Sequence, residues 1–193
     1  LWRALKTIEA GFYIDVGAAW PREHSVTKAF YDAGWSGINV EPNPDFHALL
    51  DQDRPRDCNL LLALAEHEGS ADFVIFDATG LSTLDPEVAS VHQEAGRAHR
   101  TRIVTVSTLS SVWAKHVPQG QPVHFLKIDV EGAEAPVLAG NDWSRNRPWI
   151  VVVEATVPMS QTESFADWEP LLLKANYQLA YADGLNRFYV AKE

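Results

Sequence analysis

Short apolar runs and helically spaced apolar residues take turns along this chain. The segments "FYIDVG" (12–17) and "GINVEP" (37–42) are apolar runs of strand length. Between them, "SVTKAFYDAGW" (25–35) places its apolar residues at the spacing of one helix face. Because short apolar runs bounded by turn residues are typical of buried strands, this order predicts a β-strand, a helix and a second parallel strand.

The middle of the chain predicts a helix followed by three strand-like runs. "PDFHALLDQD" (44–53) has helical spacing, and "DCNLLLALA" (57–65) is strand-like. "SADFVIFDA" (70–78) and "RTRIVTVS" (100–107) are β-branched or aromatic runs, which we interpret as strands around a loop.

The last third predicts two buried strands, three helices and a terminal hairpin. The predicted strands are "HFLKIDV" (124–130) and "PWIVVVEA" (148–155). The predicted helices are "STLSSVWAKH" (107–116) with a Ser or Thr cap, "AEAPVLAG" (133–140) closed by Gly140, and the amphipathic "SFADWEPLLLKA" (164–175). "YQLAYAD" (177–183) and "NRFYVAK" (186–192) are separated by two residues, which is typical of an antiparallel hairpin.

Alternation of this kind predicts an α/β fold with a mostly parallel, doubly wound sheet and helices on both faces. Ligands of such folds bind beyond the carboxyl ends of the strands. Acidic residues stand at or just beyond the ends of four apolar runs: Asp15, Glu41, Asp129 with Glu131, and Glu154. Such a rim repels a pyrophosphate and attracts a nucleoside with ribose hydroxyls and a cationic group, so it favours a sulfonium nucleoside over NAD.

Composition narrows the class of protein further. With 193 residues, of which 46% are hydrophobic, we expect a single domain over residues 1–193. The net charge of −10 argues against a nucleic-acid partner. Cys58 is the single cysteine, which excludes an internal disulfide and favours a reducing, cytoplasmic location. We expect no transmembrane segment, and the start at Leu1 suggests a domain excised from a longer chain.

The stretch "DVGAAWP" (15–21) predicts a ligand-binding turn. Gly17 allows a close approach of the backbone to a ligand, and Asp15 can accept hydrogen bonds from an ammonium group or its water shell. Glu41, at the end of the next strand, stands where an acid can accept both ribose hydroxyls. The competing interpretation is that Glu41 only caps the helix that begins near Asn43.

These motifs resemble the FkbM-type methyltransferases, which use S-adenosylmethionine and have the class I (Rossmann-like) three-layer fold. The resemblance rests on "YIDVGAAWP", on "GINVEPNPDFHALL" and above all on "FLKIDVEGAEAPVLAG" (125–140), and it covers residues 12 to about 156. It implies a seven-stranded sheet with an antiparallel last strand. It also implies that Asp129 and Glu131 border the methyl-transfer site. The candidate cofactor-binding residues are Asp15, Gly17, Ala18, Ala19, Trp20, Glu41, Pro42, Asn43, Ala63, Leu64 and Asp129.

Two positions depart from the pattern of this family. The family usually has Asn after "DVGA" and a glycine two residues later, whereas this chain has Ala19 and Pro21. The family's "TLD" is replaced here by Thr108, Leu109 and Ser110, so any role of that aspartate is lost.

The resemblance implies transfer to a hydroxyl group, and we expect the hydroxyl of a sugar in a polysaccharide or glycoconjugate. A hydroxyl needs a proton acceptor, for which Asp129 ranks first, His24 second and Glu154 third. An aromatic side chain with nearby polar donors suits a pyranose. The candidate substrate-binding residues are Trp20, His24, Ser82, Thr83, Glu131, Asn186 and Arg187. Core packing of Trp20 and turn chemistry of Asn186 and Arg187 are the competing interpretations.

Three alternatives remain open. A metal-assisted O-methyltransferase of a natural product would bind magnesium or calcium through Asp129, Glu131, Glu134 and Glu154. Because Glu134 also suits the first turn of a helix, we expect no metal and activity that survives EDTA. A noncatalytic binding module and a nicotinamide oxidoreductase are the others, the latter disfavoured by the missing glycine fingerprint. For a polysaccharide acceptor, the expected partner is a glycosyltransferase domain joined covalently to this one.

Overall fold

The computed structural model describes residues 1–77 and 79–192. The first half of the chain contains α1 (Trp2–Leu5), β1 (Phe12–Val16), α2 (Lys28–Asp32), β2 (Ser36–Val40), α3 (Pro44–Asp53), β3 (Cys58–Leu60), β4 (Ala63–Leu64), β5 (Gly69–Phe76) and α4 (Pro86–Glu94). The second half contains β6 (His99–Ser107), α5 (Leu109–His116), β7 (Phe125–Ile128), α6 (Glu134–Ala139), β8 (Ile150–Glu154), α7 (Glu169–Lys174), β9 (Tyr177–Ala182) and β10 (Asn186–Ala191).

Seven strands form the main sheet, in the order β3-β2-β1-β7-β8-β10-β9. The first five are parallel, whereas β10 is antiparallel to both of its neighbours. The central strands are apolar on both faces because the sheet is covered on both sides. The predicted α/β fold, with a mostly parallel seven-stranded sheet and an antiparallel terminal hairpin, is confirmed.

The two faces of the sheet contribute to different apolar clusters. Along β1, Ile14 packs on one face with side chains of α5, α6 and α7, such as Val112 and Leu172. Tyr13 packs on the opposite face with Phe30 of α2 and with Leu5 of α1. Successive side chains of a strand point to opposite faces, so a single strand serves both clusters. The result is a three-layer arrangement of helix, sheet and helix.

A second, three-stranded sheet was not predicted. The run 57–65, interpreted as one strand, divides into β3 in the main sheet and β4 in the small one. The runs 70–78 and 100–107 correspond to β5 and β6, which pair antiparallel, and Ala78 lies outside the described residues. Only some side chains of β5 and β6 are buried, namely Phe73, Ile75, Phe76, Val104, Val106 and Ser107, whereas Ile103 is exposed. The apolar pattern does not show which strand each run pairs with, because pairing depends on distant residues.

Helix boundaries differ from the sequence prediction at several ends. Helix α3 has the predicted bounds, but α2 and α7 are shorter than the predicted segments because turns precede them. Thr108 caps α5 through its bond from the backbone N–H of Ser111. Gly140 follows α6 as predicted, with a φ of −73° that any residue adopts. A Cβ at this position would lie 2.3 Å from the Ala65 carbonyl oxygen, so close packing explains the glycine.

The register of the parallel strands brings their carboxyl ends together. Val16 at the end of β1 aligns with Val40 of β2 and with Ile128 of β7. Ile128 aligns in turn with Val153 of β8. Glu41, Asp129 and Glu154 follow these positions or those beside them, so they lie at one edge of the sheet, where the sequence predicted an acidic rim. In the described part of the chain, no helix has the length and apolarity needed to cross a membrane.

Candidate functional site

A cavity of about 160 Å³ opens at the carboxyl ends of β1, β2 and β7. Apolar and acidic side chains line it together. The lining includes twelve residues that the sequence nominated: Gly17, Ala18, Ala19, Trp20, His24, Glu41, Pro42, Ala63, Leu64, Ser82, Asp129 and Glu131. The structure thus brings most of the nominated positions to one place, including residues from both sheets.

Six nominated residues lie outside this lining: Asp15, Asn43, Thr83, Glu154, Asn186 and Arg187. Their contacts show what each one does instead. Asn43 is the N-cap of α3, where its side chain accepts a hydrogen bond from the backbone N–H of Asp45. The hydroxyl of Thr83 donates to the Glu131 carbonyl at 2.8 Å. Both residues therefore shape loops that border the cavity.

Glu41 is a buried carboxylate that faces the cavity and organises two loops. One of its oxygens accepts from the backbone N–H of Ala19 and the other from that of Asn43, each at 2.8 Å. Burial raises its pKa to about 7, although the two backbone N–H groups oppose this shift. Glu41 thus contacts the start of α3, as the capping interpretation required, and its remaining acceptor capacity faces the cavity.

Lys127 lies in β7 at the centre of the acidic edge. Its ammonium group donates to the Gly17 carbonyl at 2.7 Å and lies 3.3 Å from an oxygen of Asp15 and 3.4 Å from one of Asp129. Burial alone would lower the pKa of Lys127, but the two carboxylates hold it above its ordinary value. The sequence prediction assigned Asp15 a hydrogen bond from the ammonium group of a ligand or from its water shell. In the structure, the ammonium group beside Asp15 belongs to Lys127.

Gly17 has a steric reason for being glycine. It has a φ of +75°, and a Cβ at this position would lie 1.8 Å from the carbonyl oxygen of Asp129. The end of β1 and the end of β7 can approach this closely only without a side chain. The sequence prediction explained this glycine by contact with a ligand, whereas the structure shows contact with a neighbouring strand end.

Strained backbone is concentrated at the cavity. Non-glycine residues with positive φ include Ala19 (47°), His24 (55°) and Glu131 (56°), and all three line the cavity. Such conformations cost free energy and persist where the surrounding structure imposes them, which is frequent at functional sites. The first loop and the loop after β7 therefore hold their side chains in imposed positions.

Three carboxyl groups meet where β7 and β8 end. Asp129, Glu131 and Glu154 each offer an oxygen, and these oxygens lie within 4.8 Å of one another. Burial and the neighbouring Asp129 raise the pKa of Glu131 to about 8. The same causes, burial first and Asp129 second, raise the pKa of Glu154 far above its usual range. Burial and mutual repulsion therefore favour the protonated forms of Glu131 and Glu154.

Glu134 does not join these three carboxyl groups. One of its oxygens accepts from the backbone N–H groups of Val130, at 3.0 Å, and Gly132, at 3.3 Å. It thereby fixes the loop between β7 and α6 from the first turn of the helix. The expectation that Glu134 serves the helix start agrees with these contacts.

Trp20 forms one wall of the cavity. Its ring lies 4.7 Å from that of Phe46 in α3 and 6.1 Å from that of His24. A Cβ on Gly80 would lie 3.1 Å from the Trp20 ring, so the loop after β5 reaches this wall. Trp20 therefore packs against α3, as the competing interpretation required, and also lines the cavity, whereas binding of a ligand by Trp20 stays a prediction.

Asn186 and Arg187 begin β10, beside the end of β8. The Arg187 guanidinium donates to Glu169 at 2.8 Å and lies 3.6 Å from the centre of the Phe165 ring. Asn186 aligns with Glu154 across the two strands, and its backbone N–H donates to Asp183 in the hairpin turn. These contacts support the turn and packing interpretation, and a role in substrate binding stays a prediction.

Sequence analysis missed Lys127 and seven of the apolar lining residues, which are Val16, Val40, Phe46, Phe73, Leu84, Val130 and Ala133. For Lys127 a signal was present, because a lysine inside the apolar run "FLKI" must be buried and therefore requires acidic partners. The apolar residues carried no such signal, since nothing in the pattern separates lining from core.

Comparison with known proteins finds a matching family model and solved structures of similar fold, among them two methyltransferases. The model described as Methyltransferase FkbM domain matches residues 15–179. No curated protein sequence shows significant similarity to this chain.

Both similar structures show the same fold at low sequence identity. A crystal structure of a methyltransferase FkbM from Methylobacillus flagellatus is 14% identical, with a TM-score of 0.55. It matches 94% of this chain, which spans only 44% of that protein. A TehB-like SAM-dependent methyltransferase from Corynebacterium glutamicum is 11% identical, with a TM-score of 0.50, and the match covers 99% of this chain and 94% of that one.

Proposed function

The chain belongs to the FkbM methyltransferase domain family, and on this basis we propose that it transfers the methyl group of S-adenosylmethionine to a hydroxyl group. We further propose that the hydroxyl belongs to a sugar of a polysaccharide or glycoconjugate. The observation that supports this proposal best is a cavity that combines Glu41 with candidate proton acceptors at adjacent strand ends.

The residues of the cavity fit an adenosyl cofactor with a sulfonium centre. Glu41 has acceptor capacity left for ribose hydroxyls, and Phe46, Leu64 and Phe73 offer an apolar surface for a base. The acidic edge favours a cation over a pyrophosphate. The cofactor, when bound, supplies a methyl group that is already activated for transfer. The protein has to orient the acceptor, exclude water and take up one proton.

Of the three proposed proton acceptors, two line the cavity and one lies outside its lining. Asp129 lines it and is balanced by Lys127, so it keeps the first rank. His24 lines it beside Trp20, in the first loop. Glu154 lies behind Asp129, outside the lining. Trp20 offers an aromatic surface and Ser82 a hydroxyl for holding a sugar ring.

The test is incubation with S-adenosylmethionine labelled on its methyl group and a panel of oligosaccharide acceptors. We expect label in the acceptor, with the methyl carbon on oxygen by mass spectrometry. Label on a nitrogen or carbon atom would replace the O-methylation part of the proposal. Binding of the cofactor without transfer to any of a broad set of acceptors would instead favour a noncatalytic module.

We also propose that this chain is one domain of a longer protein. This chain spans less than half of the FkbM structure that it resembles. A covalently linked glycosyltransferase domain would deliver a sugar acceptor to the cavity. A reducing, cytoplasmic compartment is also proposed, on the ground that Cys58 is the single cysteine.

A further inference from the structure

We propose that Asp129, Glu131 and Glu154 together bind one divalent cation of the magnesium or calcium type, which holds the hydroxyl of the acceptor. The geometry of the three carboxyl groups and the buried, unpartnered oxygen of Glu154 support ion binding independently of the reaction. Its role toward the acceptor rests on the proposed function.

The distances fit a single ion. The three contributed oxygens lie within 4.8 Å of one another. Oxygen ligands of Ca²⁺ lie about 2.3–2.6 Å from the ion, so that ligands on opposite sides are about 5 Å apart. One ion can therefore contact all three oxygens after small side-chain adjustments. The donors come from the ends of two adjacent strands, which fixes their relative positions.

Glu154 provides the independent observation. It is 8% exposed, and its Oε2 has no hydrogen-bond partner among the described residues. A buried carboxylate oxygen without a partner costs considerable free energy, and such groups are rare in folded proteins. Because this side chain is directed at Asp129 and Glu131, a cation between the three would satisfy it.

The charge balance points to a dication. Asp15 and Asp129 share the ammonium group of Lys127, which is the cation nearest to this edge. Glu131 and Glu154 have no basic partner among the described salt bridges. With Asp15, Asp129, Glu131 and Glu154 all ionised, a nearby sulfonium would supply one further positive charge beside Lys127, and a divalent ion would balance the remaining two negative charges.

The donor atoms select the class of ion. All three ligands are carboxylate oxygens, which magnesium and calcium prefer, whereas zinc sites are built from histidine and cysteine. Glu134 does not belong to the group of converging oxygens, and one of its own oxygens accepts from two backbone N–H groups. The site differs in this respect from the four-residue set that the sequence alone offered.

The ion would change the roles of the candidate proton acceptors. A hydroxyl that binds a cation loses its proton more easily. Asp129 and Glu154 then act as ligands, so His24 on the Trp20 wall remains to accept the proton. Activity would consequently depend on metal, in contrast to the expectation from sequence that it survives EDTA.

Manganese is a suitable probe, because it binds at magnesium and calcium sites and is visible by electron paramagnetic resonance. The purified chain is freed of metal with EDTA, and Mn²⁺ binding is measured for the wild type and for Glu154→Gln, Glu131→Gln and Glu163→Gln. Glu163 is an exposed acid in the segment after β8 and serves as the matched control. S-adenosylhomocysteine binding by each variant reports whether the cavity is intact.

We expect one Mn²⁺ per chain, with affinity reduced about tenfold or more in Glu154→Gln and in Glu131→Gln and unchanged in Glu163→Gln. Absence of binding to the wild type, or equal affinity in all four proteins, overturns the inference. Because Glu131 is partly exposed, its variant tests the site even where Glu154→Gln fails to fold. If S-adenosylhomocysteine binds and methyl transfer proceeds without metal, this inference fails while the proposed function stands.

Discussion

Glu41 holds two loops together through backbone hydrogen bonds and is the proposed acceptor for the ribose hydroxyls. We expect Glu41→Ala to weaken S-adenosylhomocysteine binding by about 1–3 kcal/mol, because a charged acceptor for ribose hydroxyls is lost. The backbone N–H groups of Ala19 and Asn43 also lose their partner, so the loop that borders the cavity is loosened. Calorimetric titration measures the effect, and unchanged affinity would remove Glu41 from the cofactor site.

The raised pKa of Glu41 predicts a pH dependence of cofactor binding. With a pKa of about 7, the carboxyl group of the free protein is mostly protonated at pH 6 and mostly ionised at pH 8. Hydroxyl donors prefer the ionised form, so S-adenosylhomocysteine affinity should fall by about tenfold from pH 8 to pH 6. In Glu41→Gln the affinity should be lower throughout and nearly flat over this range. A slope that persists in the variant would assign the titration to another group.

Ala19 adopts a backbone conformation that suits asparagine better. Its φ is +47°, a region that costs most residues about 1–2 kcal/mol but that asparagine visits more readily. The FkbM pattern has asparagine at this position. We expect Ala19→Asn to raise the free energy of unfolding by about 0.5–1 kcal/mol in urea denaturation. The control is Ala95→Asn, at an exposed position with a φ of −74°, which should bring no gain.

The loop between β1 and α2 is anchored from the end of α3. Arg54 is 1% exposed and donates twice to the Pro21 carbonyl, at 2.9 and 2.6 Å, and once to the Ser25 hydroxyl, at 2.9 Å. Its guanidinium also lies 3.8 Å from Asp57. Since Pro21 follows Trp20, the cavity wall depends on a residue outside the cavity. Arg54 thus fixes the position of Pro21 through the Pro21 carbonyl group.

We expect Arg54→Lys to weaken S-adenosylhomocysteine binding and to lower the free energy of unfolding by about 2 kcal/mol, because an ammonium group cannot replace the forked donors. The matched control is Arg22→Lys in the same loop, where the side chain is exposed and paired with Asp53. Urea denaturation and calorimetry on both variants measure the two effects. Equal behaviour of the two variants would contradict the anchoring role.

Binding of the correct cofactor should stabilise the whole fold, because the cavity joins the ends of several strands to the small sheet. At about 100 times its dissociation constant, S-adenosylhomocysteine should raise the free energy of unfolding by about 2.7 kcal/mol. NAD should have no such effect, since the acidic edge repels a pyrophosphate. Thermal denaturation with each compound tests this, and stabilisation by NAD would revive the oxidoreductase alternative.

The sequence by itself determined the order of the main strands and helices, the terminal hairpin and the position of the acidic rim. These features depend on apolar patterns within a few residues and on one specific stretch, "FLKIDVEGAEAPVLAG". Nominated lining residues such as Gly17, Glu41 and Asp129 follow parallel strands of the main sheet, and the carboxyl ends of such strands must meet at one edge.

Only the tertiary structure decided which of these residues contact one another. The separate sheet of β4, β5 and β6 could not be derived from local patterns. Lys127 and its acceptor Gly17 are separated by 110 positions along the chain. Contacts at such separation depend on the packing of the whole sheet, whereas hydrophobic periodicity reports only whether each residue is buried.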